Sequence, residues 1–215
     1  MQDLRQDVVP DRERRVRTIA ATALGTMFGK IRRFPSIIWK AEALARGVRI
    51  EGSVVFLGRP IISVWPGSKM VFCGGNQFAS SRRCNPLGNF QPCVLRTLAP
   101  DAVLQLGIGV GASAAVLCAA TRIEVGEGTI LGSGSMVIDN DFHLPEGEFG
   151  WTDNGRATAK PISIGRGCFV GTRALILKGV TLGDRARIGA GAVVSLDVPP
   201  GGLAVGNPAR IVLRG

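Results

Sequence analysis

A single histidine closes the stretch V-I-D-N-D-F-H, residues 137–143, and two carboxylates precede it. His143 is the only histidine in the chain, and Asp139 and Asp141 stand shortly before it. Histidine, with an ordinary pKa of about 6.5, can accept a proton from a weak nucleophile such as a hydroxyl group. A carboxylate on the other ring nitrogen would fix the tautomer and stabilise the imidazolium that forms. The stretch therefore predicts a general base with an orienting aspartate.

The same three residues have a purely structural alternative. Alternation along a strand would put both aspartates on the same side as His143, so the sequence does not choose between them as its partner. Aspartates at chain corners also accept hydrogen bonds from backbone amides, and a lone histidine is often a surface residue. The elements that carry the stretch must decide between these interpretations.

Composition argues against two other classes of site. The five cysteines form no C-x-x-C pair, and with one histidine they predict reduced thiols of a cytoplasmic protein rather than a metal centre. The net charge of +10 raises the possibility of nucleic acid. However, aromatic residues make up only 6% of the chain, and zinc-finger or RRM-type motifs are lacking, so no nucleic-acid partner is predicted. A polyanionic small molecule or an anionic membrane surface fits the charge at least as well.

A repeat of six residues dominates the second half of the chain. Aliphatic residues recur in one fixed phase, with glycine often next and a small or β-branched residue four positions on. The aliphatic positions are Ile164, Val170, Ile176, Leu182, Ile188 and Val194, and upstream Val125, Leu131 and Val137. This period is neither helical nor a plain strand alternation. It predicts short strands joined by repeated corners around a narrow core.

Three segments interrupt the repeat. Residues 1–47 read as a basic N-terminal helical segment, broken at Pro35 and closed by Gly47, and residues 48–215 as the repeat domain. Residues 79–101 and 143–161, rich in proline or glycine, are predicted to leave the repeat as loop excursions. His143 thus stands where a coil gives way to a loop, a common location for functional residues.

Segments such as I-G-R-G-C-F-V-G and L-G-D-R-A-R-I-G-A-G-A-V-V resemble the hexapeptide-repeat acyltransferases. The resemblance implies an all-β fold, a left-handed parallel β-helix with three hexads per triangular coil, over roughly residues 50–215. It also implies a homotrimer with active sites between neighbouring subunits. Gamma-class carbonic anhydrases share the repeat but bind zinc through three histidines, so a chain with one histidine is not such an enzyme.

The D-x-D-F-H motif and the loop after it look like the sugar and polysaccharide O-acetyltransferase branch of that family. The resemblance implies transfer of an acetyl group from acetyl-coenzyme A to a saccharide hydroxyl, with His143 as the general base and no metal. It points to surface-polysaccharide or glycolipid biosynthesis. Two alternatives stay open at this point. One is acetylation of an amine on a nucleotide-linked sugar, or of another small alcohol such as serine or an antibiotic. The other is a non-catalytic β-helix that serves as an assembly module.

The resemblance also suggests residues that contact the substrates. For the coenzyme these are Gly171, Thr172, Ala190, Ser195, Arg210 and Lys160. Many relatives have lysine where this chain has Leu196, which shifts phosphate binding toward Arg210 or Lys160. The acceptor candidates are Ser113, Asn85 and Trp151, with Arg82 and Arg83 nearby in the first excursion. For each glycine and alanine, simple corner geometry is the alternative role.

The N-terminal segment has two compatible interpretations. Residues 1–47 carry ten Lys/Arg against five Asp/Glu. They can cap the open end of the β-helix, which otherwise leaves an unpaired strand edge, and this is the favoured reading. Their basic face can also rest on an anionic membrane, which would place a cytoplasmic protein at the inner face of the membrane.

Overall fold

Short strands make up nearly all the regular structure of residues 36–212, the part of the chain that the computed structural model describes. Residues 36–45 form a helix, α1. The strands in chain order are β1 (Arg49–Ile50), β2 (Val54–Leu57), β3 (Ile61–Ser63), β4 (Lys69–Phe72), β5 (Asn76–Ala79), β6 (Val94–Thr97), β7 (Val103–Leu106), β8 (Gly111–Ser113), β9 (Val116–Ala119), β10 (Arg122–Val125), β11 (Ile130–Leu131), β12 (Met136–Ile138), β13 (Leu144–Glu146), β14 (Gly150–Thr152), β15 (Ile162–Ile164), β16 (Phe169–Val170), β17 (Leu175–Ile176), β18 (Thr181–Leu182), β19 (Arg187–Ile188), β20 (Val193–Val194), β21 (Leu203–Val205) and β22 (Arg210–Val212).

Each coil of the chain gives one strand to each of three sheets, and the sheets form the faces of a triangular β-helix. Sheet A has the order β1-β4-β7-β10-β15-β18, and sheet C the order β3-β6-β9-β12-β17-β20. Sheet B has the order β2-β5-β8-β11-β16-β19-β21-β22. Successive coils pair in parallel, and the antiparallel pairs are the final β21–β22 and the projecting hairpin β13–β14.

The six-residue period corresponds to the inward positions of the coils. All nine aliphatic residues of the predicted phase are buried, none more than 3% exposed, and they belong to one continuous core. In the first coils the core contains aromatic rings, with Phe56 and Phe78 stacked at 5.1 Å between centroids. Each coil supplies a few inward side chains to a narrow prism. The six-residue aliphatic period of the sequence therefore follows directly from the fold.

Glycine at the corners permits the close stacking of coils. An added Cβ at Gly126 would lie 2.5 Å from the backbone carbonyl carbon of Gly165 in the next coil. Both the added Cβ and the carbonyl carbon belong to the backbone framework, so no flexible side chain could move to relieve the clash. The glycine that so often follows an aliphatic position is therefore needed for packing between coils.

The outer faces of the three sheets differ in polarity. On sheet C the register stacks an outward column of six apolar residues, which are Ile61, Val94, Val116, Met136, Leu175 and Val193. Ile61 is 42% exposed and Met136 36%. The corresponding column on sheet A is polar except for Val71 and consists of Arg49, Val71, Gln105, Glu124, Ser163 and Thr181. Sheet C thus carries an unbroken apolar outer column, while sheet B exposes an apolar pair, Ile130 at 50% and Phe169 at 49%.

Helix α1 lies over the first coil. The Phe56 amide of β2 donates to the buried Ser36 Oγ at 2.8 Å, and Arg46 Nη1 donates to the Ile62 carbonyl of β3 at 3.1 Å. Ala43 is fully buried in the core. These contacts agree with capping for residues 36–45. The rest of the predicted helical segment, residues 1–35, lies outside the described residues. None of the described helices has the length and apolar character of a membrane span.

The first excursion is shorter than predicted, and the second contains regular structure. The chain returns to sheet C at Val94–Thr97, so residues 80–93, not 79–101, leave the β-helix. The reason is that β6 pairs on both sides, with β3 and β9, and buries Leu95. The second excursion holds the hairpin β13–β14 and a 3₁₀ helix at Gly155–Thr158.

Candidate active site

His143 lies at the corner between sheets C and A, directly after the turn that ends β12. The turn is tight: His143 N–H donates to the Asp141 carbonyl at 2.7 Å, and Phe142 adopts a positive φ of 62°. Asn140 Oδ1 accepts from the Phe142 amide at 2.8 Å and holds the turn in place. The His143 side chain is 58% exposed. The imidazole therefore stands outside the prism, where a substrate can reach it.

Asp153 is the carboxylate that contacts the imidazole. Its Oδ1 lies 2.7 Å from His143 Nδ1. Asp153 follows β14, so the hairpin brings it back beside the residue from which the hairpin departs. The prediction of Asp139 or Asp141 as this partner was wrong, and no spacing in the sequence singled out Asp153. The only signal was a third acidic residue shortly after the histidine in a turn-rich segment.

Asp139 instead fixes the backbone of the neighbouring coil. Its fully buried carboxylate accepts hydrogen bonds from the amides of Ala120, Thr121 and Arg122 at 2.7, 2.8 and 2.9 Å. Asn140 Nδ2 donates to it at 3.1 Å. This is the corner role that sequence left open for the aspartates. Strand alternation failed as a guide because β12 ends at Ile138, before the turn.

Asp141 is paired with a lysine that sequence did not single out. Lys178 Nζ donates to Asp141 Oδ2 across the corner of the next coil. This hydrogen bond, with a further one from Thr158, holds the pKa of the Asp141 carboxyl below its ordinary value. Asp141 is thereby kept ionised close to His143 without contacting its ring.

Two cavities meet at His143. One, of about 310 Å³, is lined by Leu98, Ala120, Asn140, Phe142, His143, Asp153, Gly155 and Arg156. The other, of about 500 Å³, is lined by Asp141, His143 and Trp151, and Trp151 is 69% exposed. Trp151 is thus the predicted acceptor residue that the fold brings to the histidine.

The other two predicted acceptor residues lie elsewhere in the same chain. Ser113 is on sheet B and lines a separate cavity of about 290 Å³. Asn85 belongs to the first excursion, where its Oδ1 accepts from the Leu87 amide at 2.9 Å as part of a turn. Within one chain, neither residue lines either cavity at His143.

The predicted coenzyme residues divide between the two edges of sheet C. Thr172, Ala190 and Arg210 lie at the corner between sheets B and C, where the Gly191 amide donates to the Thr172 carbonyl at 2.8 Å. Gly171 has a packing role there, because an added Cβ would lie 2.6 Å from the Ala190 nitrogen. Ser195 and Lys160 lie at the opposite corner, with His143. Leu196 packs against the core.

Candidate metal ligands are dispersed in the described part of the chain. Among residues 36–212, no group of three or more His, Cys, Asp or Glu side chains is placed to hold a metal ion. All five cysteines are free thiols, three of them buried. Burial raises the pKa of the Cys118 thiol to about 11.

Comparison with known proteins finds partial matches to hexapeptide-repeat proteins and acetyltransferases. Residues 161–195 match the family described as the hexapeptide repeat of succinyl-transferase. A 59-residue stretch is 42% identical to the galactoside O-acetyltransferase of Escherichia coli, covering 27% of this chain and 29% of that protein. The matched segments of the chain thus carry the hexapeptide repeat and are similar to acetyltransferases. A Staphylococcus aureus protein described as an acetyltransferase is 45% identical over 62 residues, which cover 29% of this chain and 31% of that protein. The matches thus span less than a third of either relative.

The fold of this hexapeptide-repeat protein extends beyond those segments. The crystal structure of a point mutant of an N-acyltransferase from Bacillus cereus, in complex with dTDP and coenzyme A, superimposes with a TM-score of 0.57. The likeness covers 80% of this chain and 86% of that one at 16% identity, and so concerns the fold alone. The predicted all-β, left-handed parallel β-helix of hexapeptide repeats is confirmed.

Proposed function

We propose that this protein is an acetyl-coenzyme-A-dependent O-acetyltransferase that modifies a sugar hydroxyl, with His143 as the general base. The observation that carries the proposal is the pairing of one ring nitrogen of His143 with a carboxylate, which leaves the other ring nitrogen open. Asp153 Oδ1 lies 2.7 Å from Nδ1, while no side-chain contact to Nε2 is found within residues 36–212. A neutral imidazole that donates at Nδ1 has its lone pair on Nε2, which is the atom a general base uses.

In this mechanism, Nε2 takes the proton of the acceptor hydroxyl as the hydroxyl oxygen attacks the thioester carbonyl carbon. The carbon–sulfur bond then breaks, and the imidazolium returns its proton to the departing sulfur. The products are an acetyl ester and the free coenzyme thiol, so atoms and charge balance without an acyl-enzyme. The carboxylate of Asp153 favours the imidazolium that exists between the two proton transfers.

The coenzyme residues support a site built from two copies of the chain. The Thr172, Ala190 and Arg210 edge offers small side chains and a cation, which suit an uncharged pantetheine arm and a phosphate. His143, Lys160 and Ser195 lie across sheet C from that edge. A ring in which sheet C faces the axis would bring the first edge of one copy to the second edge of its neighbour.

The apolar column on sheet C supports the same ring, a homotrimer. In a single chain Ile61 and Met136 leave apolar surface in water, whereas packing around a three-fold axis would bury the column. A heterologous contact of this kind closes with identical interfaces. Each interface would then hold one complete set of coenzyme and base residues.

A saccharide acceptor is supported by the cavity beside Trp151. The exposed indole ring offers a flat apolar surface on which a sugar face can stack. The Asp141–Lys178 pair lies nearby and offers an acceptor and a donor for hydroxyl groups. The galactoside O-acetyltransferase relative agrees with a sugar hydroxyl. We place the reaction in surface-polysaccharide or glycolipid assembly.

Thioester cleavage with acetyl-coenzyme A and a panel of saccharides and amino sugars tests the proposal. Wild type is compared with His143→Ala and with a control, Glu124→Gln, on the outer face of sheet A. We expect turnover on a saccharide hydroxyl that falls about a hundredfold or more in His143→Ala, the scale of a lost general base. The control should match wild type.

Three other outcomes would count against parts of the proposal. Equal rates for His143→Ala and wild type on a true acceptor would show that His143 is not the general base. A product acetylated on nitrogen would replace the sugar hydroxyl by an amine. An absence of both turnover and coenzyme binding would favour the assembly module.

A further inference from the structure

The hairpin that follows His143 exposes aromatic side chains beside acidic ones. Phe149 is 88% exposed and Trp151 69%, values that are high for residues of their size. Glu146 and Glu148 are also exposed, and residues 143–153 contain no lysine or arginine. Two solvent-exposed aromatic rings contribute little to the stability of an isolated hairpin. The tip therefore has the composition of a surface that meets a partner.

The first excursion has the complementary composition. Leu87 is 68% exposed and Phe90 52%, and Arg82 and Arg83 are exposed beside them. Residues 80–100 contain no acidic residue. The guanidinium of Arg173 lies 5.3 Å from the Phe90 ring centroid and adds a third cation to this surface.

The two surfaces lie on opposite edges of sheet C at the same level of the β-helix. The first excursion is tied to the corner between sheets B and C, where Ser133 Oγ donates to Asn89 Oδ1 at 3.1 Å. Ser133 belongs to the coil of β10, β11 and β12. The hairpin departs from the end of that same coil, at the corner between sheets C and A. Sheet C thus separates the two surfaces within one chain.

We propose that the hairpin of one copy docks on the first excursion of the next copy. This proposal rests on the proposed function, in which each active site is shared between two copies. It adds the contact that would join the two copies beside each active site. Glu146 and Glu148 would face Arg82 and Arg83, while Phe149 packs against Leu87 and Phe90. Opposite charges and buried aromatic rings are what give such contacts specificity and affinity.

Docking would also complete the acceptor cavity. Trp151 and His143 line one cavity of about 500 Å³, and the hairpin forms its side. A neighbour's excursion laid against that hairpin would bring Arg82, Arg83 and Asn85 of the next copy toward the site. The predicted acceptor residues of the first excursion would then act in the site of a neighbouring copy.

Charge reversal tests the contact through the mass of the assembly. Sedimentation velocity is run on wild type, on Glu146→Lys/Glu148→Lys, on Arg82→Glu/Arg83→Glu and on the variant that combines all four. A matched control, Arg49→Glu/Lys69→Glu, reverses two cations on sheet A. We expect each double variant to raise the dissociation constant at least about tenfold. The fourfold variant should regain the wild-type mass, and the control should keep it.

Several results would overturn the docking. These are a monomeric wild type, double variants that assemble like wild type, or a fourfold variant no better than its parents. Circular dichroism checks the fold, and Phe149→Ser provides a second disruption without any change of charge. Assembly is measured without turnover. An intact ring that fails to transfer acetyl groups would therefore count against the proposed function and not against the docking.

Discussion

Asp153 Oδ1 lies 2.7 Å from His143 Nδ1, although the two residues stand at opposite ends of the hairpin β13–β14. The first residue of that hairpin, Leu144, pairs with Thr152, next to Asp153. The antiparallel register therefore sets the approach of the carboxylate to the ring. In this protein the carboxylate beside the His143 ring comes from a hairpin that leaves the β-helix.

Replacement of Asp153 by asparagine should slow acetyl transfer without weakening coenzyme binding. Asparagine keeps the shape but cannot stabilise the imidazolium, so we expect kcat to fall about tenfold. This fall in kcat is smaller than the one expected for His143→Ala, because the Asp153–His143 pair is exposed and water screens the interaction. The KM for acetyl-coenzyme A should change less than about twofold.

Glutamate at position 153 serves as the conservative variant and should recover part of the lost kcat. A purely structural role would lower kcat and stability together and would show no such recovery. Thermal unfolding of the same variants makes that distinction.

Loss of the Asp139 carboxylate should destabilise the fold. Asp139→Ala leaves three amides of the neighbouring coil without their acceptor. We expect a loss of about 3 to 5 kcal/mol in the free energy of unfolding, measured in urea. The matched variant Asp141→Ala removes an exposed ion pair and should change that free energy by less than about 1 kcal/mol. Equal losses in both variants would contradict the structural role of Asp139.

A methyl group at Gly171 should disturb the stacking of coils. The added Cβ would meet the Ala190 nitrogen at 2.6 Å, backbone against backbone. We expect Gly171→Ala to lower stability by about 1 to 3 kcal/mol. Gly111→Ala is the control, because an added Cβ there has no atom within 4 Å. If Gly171→Ala is as stable as wild type but binds coenzyme A poorly, the glycine serves the coenzyme instead.

Thiol reactivity should separate the five cysteines into two groups. Burial raises the pKa of Cys118 to about 11, and it also raises the pKa of Cys93, Cys168 and the half-buried Cys73. Only Cys93, Cys118 and Cys168 are also buried out of reach of a reagent. A raised pKa leaves less thiolate at pH 8, and burial hinders the reagent as well. Mass spectrometry after brief alkylation should therefore find Cys73 and Cys84 modified first. Rapid labelling of Cys118 in the folded protein would show that its coil opens.

The β-helix was readable in the sequence because each coil repeats one physical demand. A narrow prism needs one aliphatic inward side chain in each hexad, so the residues from Ile164 to Val194 show the repeat at intervals of six. His143 was readable for a related reason, since it is the chain's only histidine and stands where that interval breaks. Residues 94–97 were misassigned to a loop because β6 resumes the coil directly after a proline-containing segment.

The environment of the histidine was decided only by the tertiary structure. Asp139 and Asp153 are the same residue type, four residues before His143 and ten after it, yet one is fully buried under three amides and the other touches the imidazole. Likewise, Thr172 and Lys160 were predicted for one ligand but lie at different corners of the prism. The periodic pattern determines which residues face the core, because burial repeats with each coil. It does not determine the path of the excursions or which edges meet between copies, because those depend on hairpin register and on surfaces far apart in the chain.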